Sequence, residues 1–230
     1  MDYAYADIAG MIDHSLLAPT LTEDELEAGC RLALEYEVAS VCILPYALKR
    51  CAELLTGSLV QPSTTIGFPH GGHATRVKAV EAERALADGA TELDMVVNIS
   101  KVLSADWDYV RADIEAVLEP THAKRMKLKV IFENCYLQEA QKIRLCEICG
   151  ELGVDWVKTS TGYGSGGATD EDIVLMKQNS PPYVQVKAAS GVRDLDRLLR
   201  VRELGCTRCG VTRTKEILDE LKRRLGPDPA

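Results

Sequence analysis

Val154-Asp155-Trp156-Val157-Lys158-Thr159-Ser160-Thr161-Gly162 is an apolar run that reads as a buried strand and closes on a lysine. Beyond a glycine-rich loop and a helical pattern over 170–178 comes a second run of the same kind, Tyr183-Val184-Gln185-Val186-Lys187, which also ends in lysine. Strand, helix and strand in that order form the βαβ unit of a parallel sheet. Lysine is seldom buried, because stripping water from an ammonium is costly. Two lysines closing successive apolar strands, each followed by a small-residue loop, point to amine chemistry. A lysine becomes a nucleophile when burial or a neighbouring cation favours its neutral form.

The same alternation runs outward from this unit to both ends of the chain. Strand patterns fall at 12–15, 40–44, 64–68, 92–97, 128–133, 156–159, 184–188 and 208–212. A capping box, Thr22 with Glu25, opens the first long helix. Further amphipathic stretches cover 75–88, 105–118, 138–152, 170–178, 194–204 and 215–224, with Gly89, Pro120, Gly153 and Gly205 as stop signals. Eight strands, each followed by a helix, predict an α/β fold of the (β/α)8 TIM-barrel class. One domain spans 1–230, with a short N-terminal extension before the first strand and a loose tail over 226–230. The alternative, an open doubly wound sheet, lacks a G-x-G-x-x-G after its first strand.

Composition narrows the function. Apolar residues make up 46% of the 230, enough for a large core, and the formal charge of −8 argues against nucleic acid or an anionic membrane as partner. No apolar run approaches the ~20 residues of a spanning helix. Met1-Asp2-Tyr3-Ala4-Tyr5-Ala6-Asp7 carries neither the basic nor the apolar region of a signal peptide, so a soluble, cytoplasmic protein is expected. Two CxxC pairs, Cys146/Cys149 and Cys206/Cys209, lie in helix and strand patterns rather than in metal knuckles and are read as packed, reduced thiols. His70 and His73 are read as loop histidines, since two histidines do not fill a zinc shell.

In a barrel the active site lies at the C-terminal ends of the strands. Asp94 sits among apolar residues in Glu92-Leu93-Asp94-Met95-Val96-Val97-Asn98, Glu133 ends Val130-Ile131-Phe132, and Lys158 and Lys187 end neighbouring strands. Adjacent strands are about 4.8 Å apart, so two ammonium groups at matching height repel and one sheds its proton more easily. A carboxylate and two lysines together can supply a nucleophile, a cation that lowers its pKa and a proton shuttle. Small-residue loops follow the late strands: Thr161-Gly162 after Lys158, Ser190-Gly191 after Lys187, and Gly210-Val211-Thr212-Arg213 before the last helix. Their backbone amides suit a phosphate, and Arg213 would add a charge-assisted contact.

These blocks, with Ile12-Asp13-His14-Ser15-Leu16-Leu17, Ser40-Val41-Cys42-Ile43-Leu44-Pro45 and Thr65-Ile66-Gly67-Phe68-Pro69, resemble the deoxyribose-phosphate aldolases in the same order and over almost the whole chain. That family comprises class I Schiff-base aldolases with a TIM-barrel fold. The resemblance implies that Lys158 is the Schiff-base lysine, Lys187 the second lysine, and Asp94 the proton-relaying carboxylate. It implies that Cys42 is a pocket cysteine outside the chemistry, and that Asp13 and Ser15 lie near the sugar end. The implied partners are a sugar phosphate and an aldehyde, with no metal or organic cofactor and with a homodimer as the expected assembly. Ser190 replaces one of a glycine pair and Thr212-Arg213 replace paired serines, so the departures fall on phosphate recognition. The competing readings are a Schiff-base aldolase for another aldose and a non-catalytic sugar-phosphate barrel.

Overall fold

Eight parallel strands pair edge to edge in sequence order, and β8 closes onto β1 through Asp13 and Gly210. They are β1 (Ile12–Leu16), β2 (Ser40–Ile43), β3 (Gln61–Ile66), β4 (Glu92–Val96), β5 (Lys127–Ile131), β6 (Trp156–Lys158), β7 (Gln185–Ala189) and β8 (Cys206–Val211). The helices around them are α1 (Tyr5–Ala9), α2 (Glu23–Glu35), α3 (Leu48–Leu55), α4 (Thr75–Ala87), α5 (Ile99–Leu103), α6 (Trp107–Ala123), α7 (Glu139–Leu152), α8 (Asp170–Asn179), α9 (Leu195–Glu203) and α10 (Thr214–Leu225). This computed structural model describes residues 3–226. The predicted TIM barrel is therefore the observed fold. The expected tail at 226–230 lies, apart from Gly226, outside the described residues, as do the first two residues of the N-terminal segment.

Side chains alternate across each strand, and here the two faces divide by chemistry. Ile12, Val41, Leu93, Met95, Leu128, Val130, Val157, Val186 and Cys209 face outward into one apolar layer under the helices. Their strand neighbours Asp13, Glu92, Asp94, Lys129, Lys158, Lys187 and Arg208 face inward and form ion pairs across the barrel axis. The apolar core is thus a ring around the barrel, and the barrel interior is charged. Cys146, Cys149, Cys206 and Cys209 belong to that ring as free thiols.

Several boundaries differ from the sequence expectation for local reasons. β3 runs Gln61–Ile66 rather than 64–68, because Gly67 turns into the left-handed region with φ 65°. β5 ends at Ile131 rather than 133, and Glu133 adopts φ 57° just beyond it. The stop expected at Pro120 does not operate, and α6 continues to Ala123. Proline there removes one amide from the last turn, and the Thr121 hydroxyl donates 2.6 Å to the Val117 carbonyl. α3 has only eight residues, too short to show its period, although Leu48, Cys51 and Leu55 form its buried side. Thr22 and Glu25 do form the capping box, and Gly153 caps α7 at φ 75°.

One buried ion pair outside the barrel fixes the upper end of β4. Lys78, fully buried on α4, donates to the Val96 carbonyl at 2.8 Å and to Asp113 of α6 at 2.5 Å. Removing one partner strands a buried charge, which costs about 3–5 kcal/mol, whereas replacing both by apolar groups is far cheaper. Asp113→Ala is therefore expected to lose about 3–5 kcal/mol in urea unfolding, and Lys78→Met/Asp113→Leu to recover most of it. Equal losses in the single and double variants would contradict a charge-based role for this pair.

Candidate active site

Strand register brings the inward charges together. Lys158 of β6 pairs directly with Lys187 of β7, Lys187 with Arg208 of β8, and Asp94 of β4 with Lys129 of β5. Lys158 Nζ donates to Asp94 Oδ2 at 2.6 Å, and Lys187 Nζ donates to the same oxygen at 2.7 Å. Lys129 Nζ takes the other oxygen, Oδ1, at 2.9 Å. Below them Asp13 Oδ2 lies 2.5 Å from Lys187 Nζ, and Arg208 bridges Asp13 and Glu92, with Glu92 Oε1 at 2.6 Å. Lys129 also contacts Glu92. The Trp156 ring lies under this group, 5.2 Å from the Arg208 guanidinium and 5.9 Å from Lys129 Nζ, and its indole donates to Thr207 at 2.9 Å.

Lys158 ends β6, whereas Lys187, expected to end its strand, lies in the middle of β7, which runs on to Ala189; the two lysines shift in opposite directions. Burial is the largest influence on Lys158 and lowers its pKa; Asp94 pulls it back up and Lys187 lowers it further, for a net lowering. Burial also acts downward on Lys187, but Asp13 and Asp94 together outweigh it and raise the pKa. Burial would raise Asp94, yet Lys129, Lys158 and Lys187 hold its carboxyl well below the usual range. The Cys42 thiol is pushed up to about 11, mainly by burial and next by the Asp94 charge.

A cavity of about 270 Å³ opens above Lys158 at the C-terminal ends of the strands. Of the residues expected there, Ser15, Thr161, Gly162, Ser190, Gly191, Gly210 and Thr212 line it. Asp94, Lys187, Cys42 and Asp13 are buried and are not among the lining residues. Asp13 stands two residues deeper on β1 than Ser15, so it serves as an ion-pair partner of Lys187 and Arg208 rather than as a wall at the sugar end. Arg213, expected at the phosphate end, also stands apart from the cavity. It flanks α10, its guanidinium lies 3.5 Å from Glu216, and it is absent from the lining. Arg193, in the loop after β7, occupies the wall instead.

Contacts among four loops hold the mouth. Glu133 accepts from the Thr161 backbone amide at 3.2 Å and from the Thr161 hydroxyl. Thr161 Oγ1 accepts from Tyr163 N at 3.0 Å, and the Tyr163 hydroxyl donates 2.6 Å to the Leu17 carbonyl. The Phe68 and Tyr163 rings meet edge to face at 5.4 Å. Sequence reasoning missed Lys129, Glu92, Arg208, Arg193 and Tyr163. The signal for the first two was a charge at every second position of an otherwise apolar strand, as in Glu92-Leu93-Asp94-Met95 and Lys127-Leu128-Lys129-Val130. His70 and His73 stay on the loop after β3, and among the described residues no group of three or more His, Cys, Asp or Glu could hold a metal ion.

A TIM barrel with a buried lysine pair sharing one carboxylate, under an open cavity, belongs to the class of barrels equipped for amine chemistry on a small carbonyl compound. The chain belongs to the DeoC/LacD aldolase family, whose description matches residues 8–204. It is 65% identical to a deoxyribose-phosphate aldolase of Rhodopirellula baltica, covering 98% of this chain and 93% of that one. It is 45% identical to the enzyme of the same name from Thermococcus gammatolerans, over 93% of this chain and 96% of that one. Among solved structures, the aldolase QR15 superposes with a TM-score of 0.90 at 36% identity, covering 95% of this chain and 98% of the other. A tetrameric deoxyribose phosphate aldolase from Aeropyrum pernix superposes at 0.88 with 27% identity, covering 95% and 92%.

The depressed Asp94 carboxyl links stability to pH. A group whose native pKa lies below its unfolded value of about 3.9 contributes fully above that value and loses the contribution as pH falls toward the native pKa. Asp94→Asn is expected to cost about 3–5 kcal/mol at pH 6. The gap to the unaltered chain should narrow as unfolding is repeated below about pH 4. A gap constant over that range would rule out the carboxylate's charge as the stabilising element.

Proposed function

We propose that this chain is a deoxyribose-phosphate aldolase that cleaves 2-deoxy-D-ribose 5-phosphate reversibly through a Schiff base on Lys158, a step of deoxyribonucleotide catabolism. The observation that carries the reading is the pair of lysine amines, 2.6 and 2.7 Å from one oxygen of Asp94, with the pKa of the amine under the cavity lowered and that of its neighbour raised. The neutral Lys158 amine attacks the sugar's C1 aldehyde, and water leaves the carbinolamine to give an iminium. The C3 hydroxyl then gives up its proton, the C2–C3 bond breaks, and its electron pair moves into the iminium to form an enamine. Glyceraldehyde 3-phosphate departs. Protonation at C2 and hydrolysis release acetaldehyde and restore the lysine. Asp94, between the two amines, relays these protons together with Lys187 and water; Lys187 stays charged and keeps Lys158 neutral.

In this reading the 5-phosphate lies toward Ser190, Gly191, Arg193 and Thr212, which line the cavity and whose backbone amides and one guanidinium suit an anion. Ser15, Thr161, Gly162 and Gly210 contact the sugar carbons between phosphate and lysine. Cys42 lies beneath, outside the chemistry. Among the described residues no helix is long and apolar enough to cross a membrane. A cytoplasmic location and a homodimer of identical chains complete the reading, and light scattering at micromolar concentration reads the assembly directly.

Borohydride reduction in the presence of acetaldehyde, followed by peptide mass mapping, is expected to mark Lys158. An adduct on another lysine would overturn the assignment. Lys187→Leu should lower the cleavage rate near neutral pH by roughly 10²–10⁴-fold, with partial recovery at alkaline pH; an unchanged neutral rate would remove Lys187 from the mechanism. Arg193→Ala should narrow the preference for the 5-phosphate over free 2-deoxyribose, and an unaltered ratio would move the phosphate site elsewhere.

A further inference from the structure

We infer that Arg208 and Glu92, at the floor of the barrel and out of reach of any substrate, set the protonation state of Lys158 through the charge balance of the sealed cluster. The inference rests on the Schiff-base reading above. Four basic side chains, Lys129, Lys158, Lys187 and Arg208, share three carboxylates, Asp13, Glu92 and Asp94. Fully ionised, the cluster holds one positive charge too many, and a buried excess charge is expelled as a proton.

Geometry selects which group gives it up. Lys129 contacts all three carboxylates, Lys187 contacts Asp13 and Asp94, and Arg208 contacts Asp13 and Glu92. Lys158 has Asp94 alone and shares that oxygen with Lys187. Arg208 cannot relieve the excess, because a guanidinium does not deprotonate in a protein. The Trp156 ring packs 5.2 Å from the Arg208 guanidinium, and the Arg208 side chain is mostly buried. The remaining strands leave the balance unchanged. The Cys42 thiol on β2 is buried and neutral, and Ser63 and Thr65 on β3 carry no charge. Glu133, beyond β5, is engaged with Thr161 at the mouth, and Arg193 lies on the cavity wall after β7.

Arg208 is two strands from Lys158, roughly 10 Å across the barrel at about 4.8 Å per strand. At an effective dielectric of about 20, a unit charge at that distance moves a pKa by on the order of one unit. Arg208 and Glu92 act on substrate only through Lys158 and are positioning residues.

Opposite substitutions test this by sign. The readouts are the pH profile of kcat/KM for cleavage and the pH dependence of borohydride trapping on Lys158 with acetaldehyde. Arg208→Met should move the acid limb of both up by about one pH unit, roughly a tenfold loss below the limb, and leave the alkaline plateau in place. Arg208→Lys should restore the original profile. Glu92→Gln should move the limb down, and it carries the test if Arg208→Met fails to fold. Uniform losses at every pH with the limb unmoved overturn the inference and make both residues merely structural. Lack of a Lys158 adduct in the unaltered chain overturns the Schiff-base reading and this inference with it. An adduct whose limb does not move in either variant overturns this inference alone.

Discussion

One carboxylate, Asp94, accepts from three lysines inside a closed barrel: Lys158 and Lys187 on one oxygen and Lys129 on the other. That arrangement costs desolvation for every member, and only closure of the strand circle makes it feasible. In an open sheet β1 and β8 would be edges, and Asp13 on β1 could not face Arg208 on β8. In the barrel each charge meets an opposite charge from a strand one or more places around the ring. The cluster's cohesion is therefore a consequence of topology, and its slight excess of positive charge is a consequence of composition.

Fold stability comes from a different layer. The outward faces of the strands, Val41, Leu93, Val130, Val157 and Val186 among them, pack under the helices as a continuous apolar ring. At roughly 25 cal/mol per Å² this burial is the dominant favourable contribution to folding. The interior contributes little net stability, since buried ion pairs seldom exceed their desolvation cost. The period-2 alternation of each strand separates the two tasks residue by residue. Leu93 and Met95 serve the fold, while Glu92 and Asp94, interleaved with them, serve the site.

The same separation explains what was legible in the sequence. The eight strands were visible because their outward positions are mostly apolar, with exceptions such as His14 and Thr64, and Lys158 and Lys187 were visible because each closes an apolar run in the sequence. Lys129 and Arg208 were not, because a lysine or arginine within a strand ordinarily signals an exposed face, and only the closed barrel turns that face inward. Asp13 was attached to the sugar through its resemblance to a known motif; its depth on β1 makes it a counter-ion. Arg213, expected at the phosphate loop, lies 3.5 Å from Glu216 one helical turn on. α3 and α5 escaped notice because eight and five residues do not establish a helical period.

The far end of the cavity is shaped by backbone as well as by the Arg193 charge. Ser190 takes φ 65°, a conformation that costs a non-glycine residue about 1–2 kcal/mol, and its carbonyl accepts from Ala168 N at 3.0 Å. Gly167 stands so close that a Cβ there would fall 2.6 Å from that carbonyl oxygen. The loop after β6 and the loop after β7 are thus fitted to one another, and the turn at Ser190 is maintained by contact with a residue that must remain glycine. Strain of this kind persists only where the surroundings over-determine it. It holds Ser190 and Gly191 in place at the cavity wall. The wall residues Thr161 and Gly162 follow Lys158, and Ser190 and Gly191 follow Lys187, by three or four residues, so the same two strand-to-helix connections carry both the lysines and the wall above them.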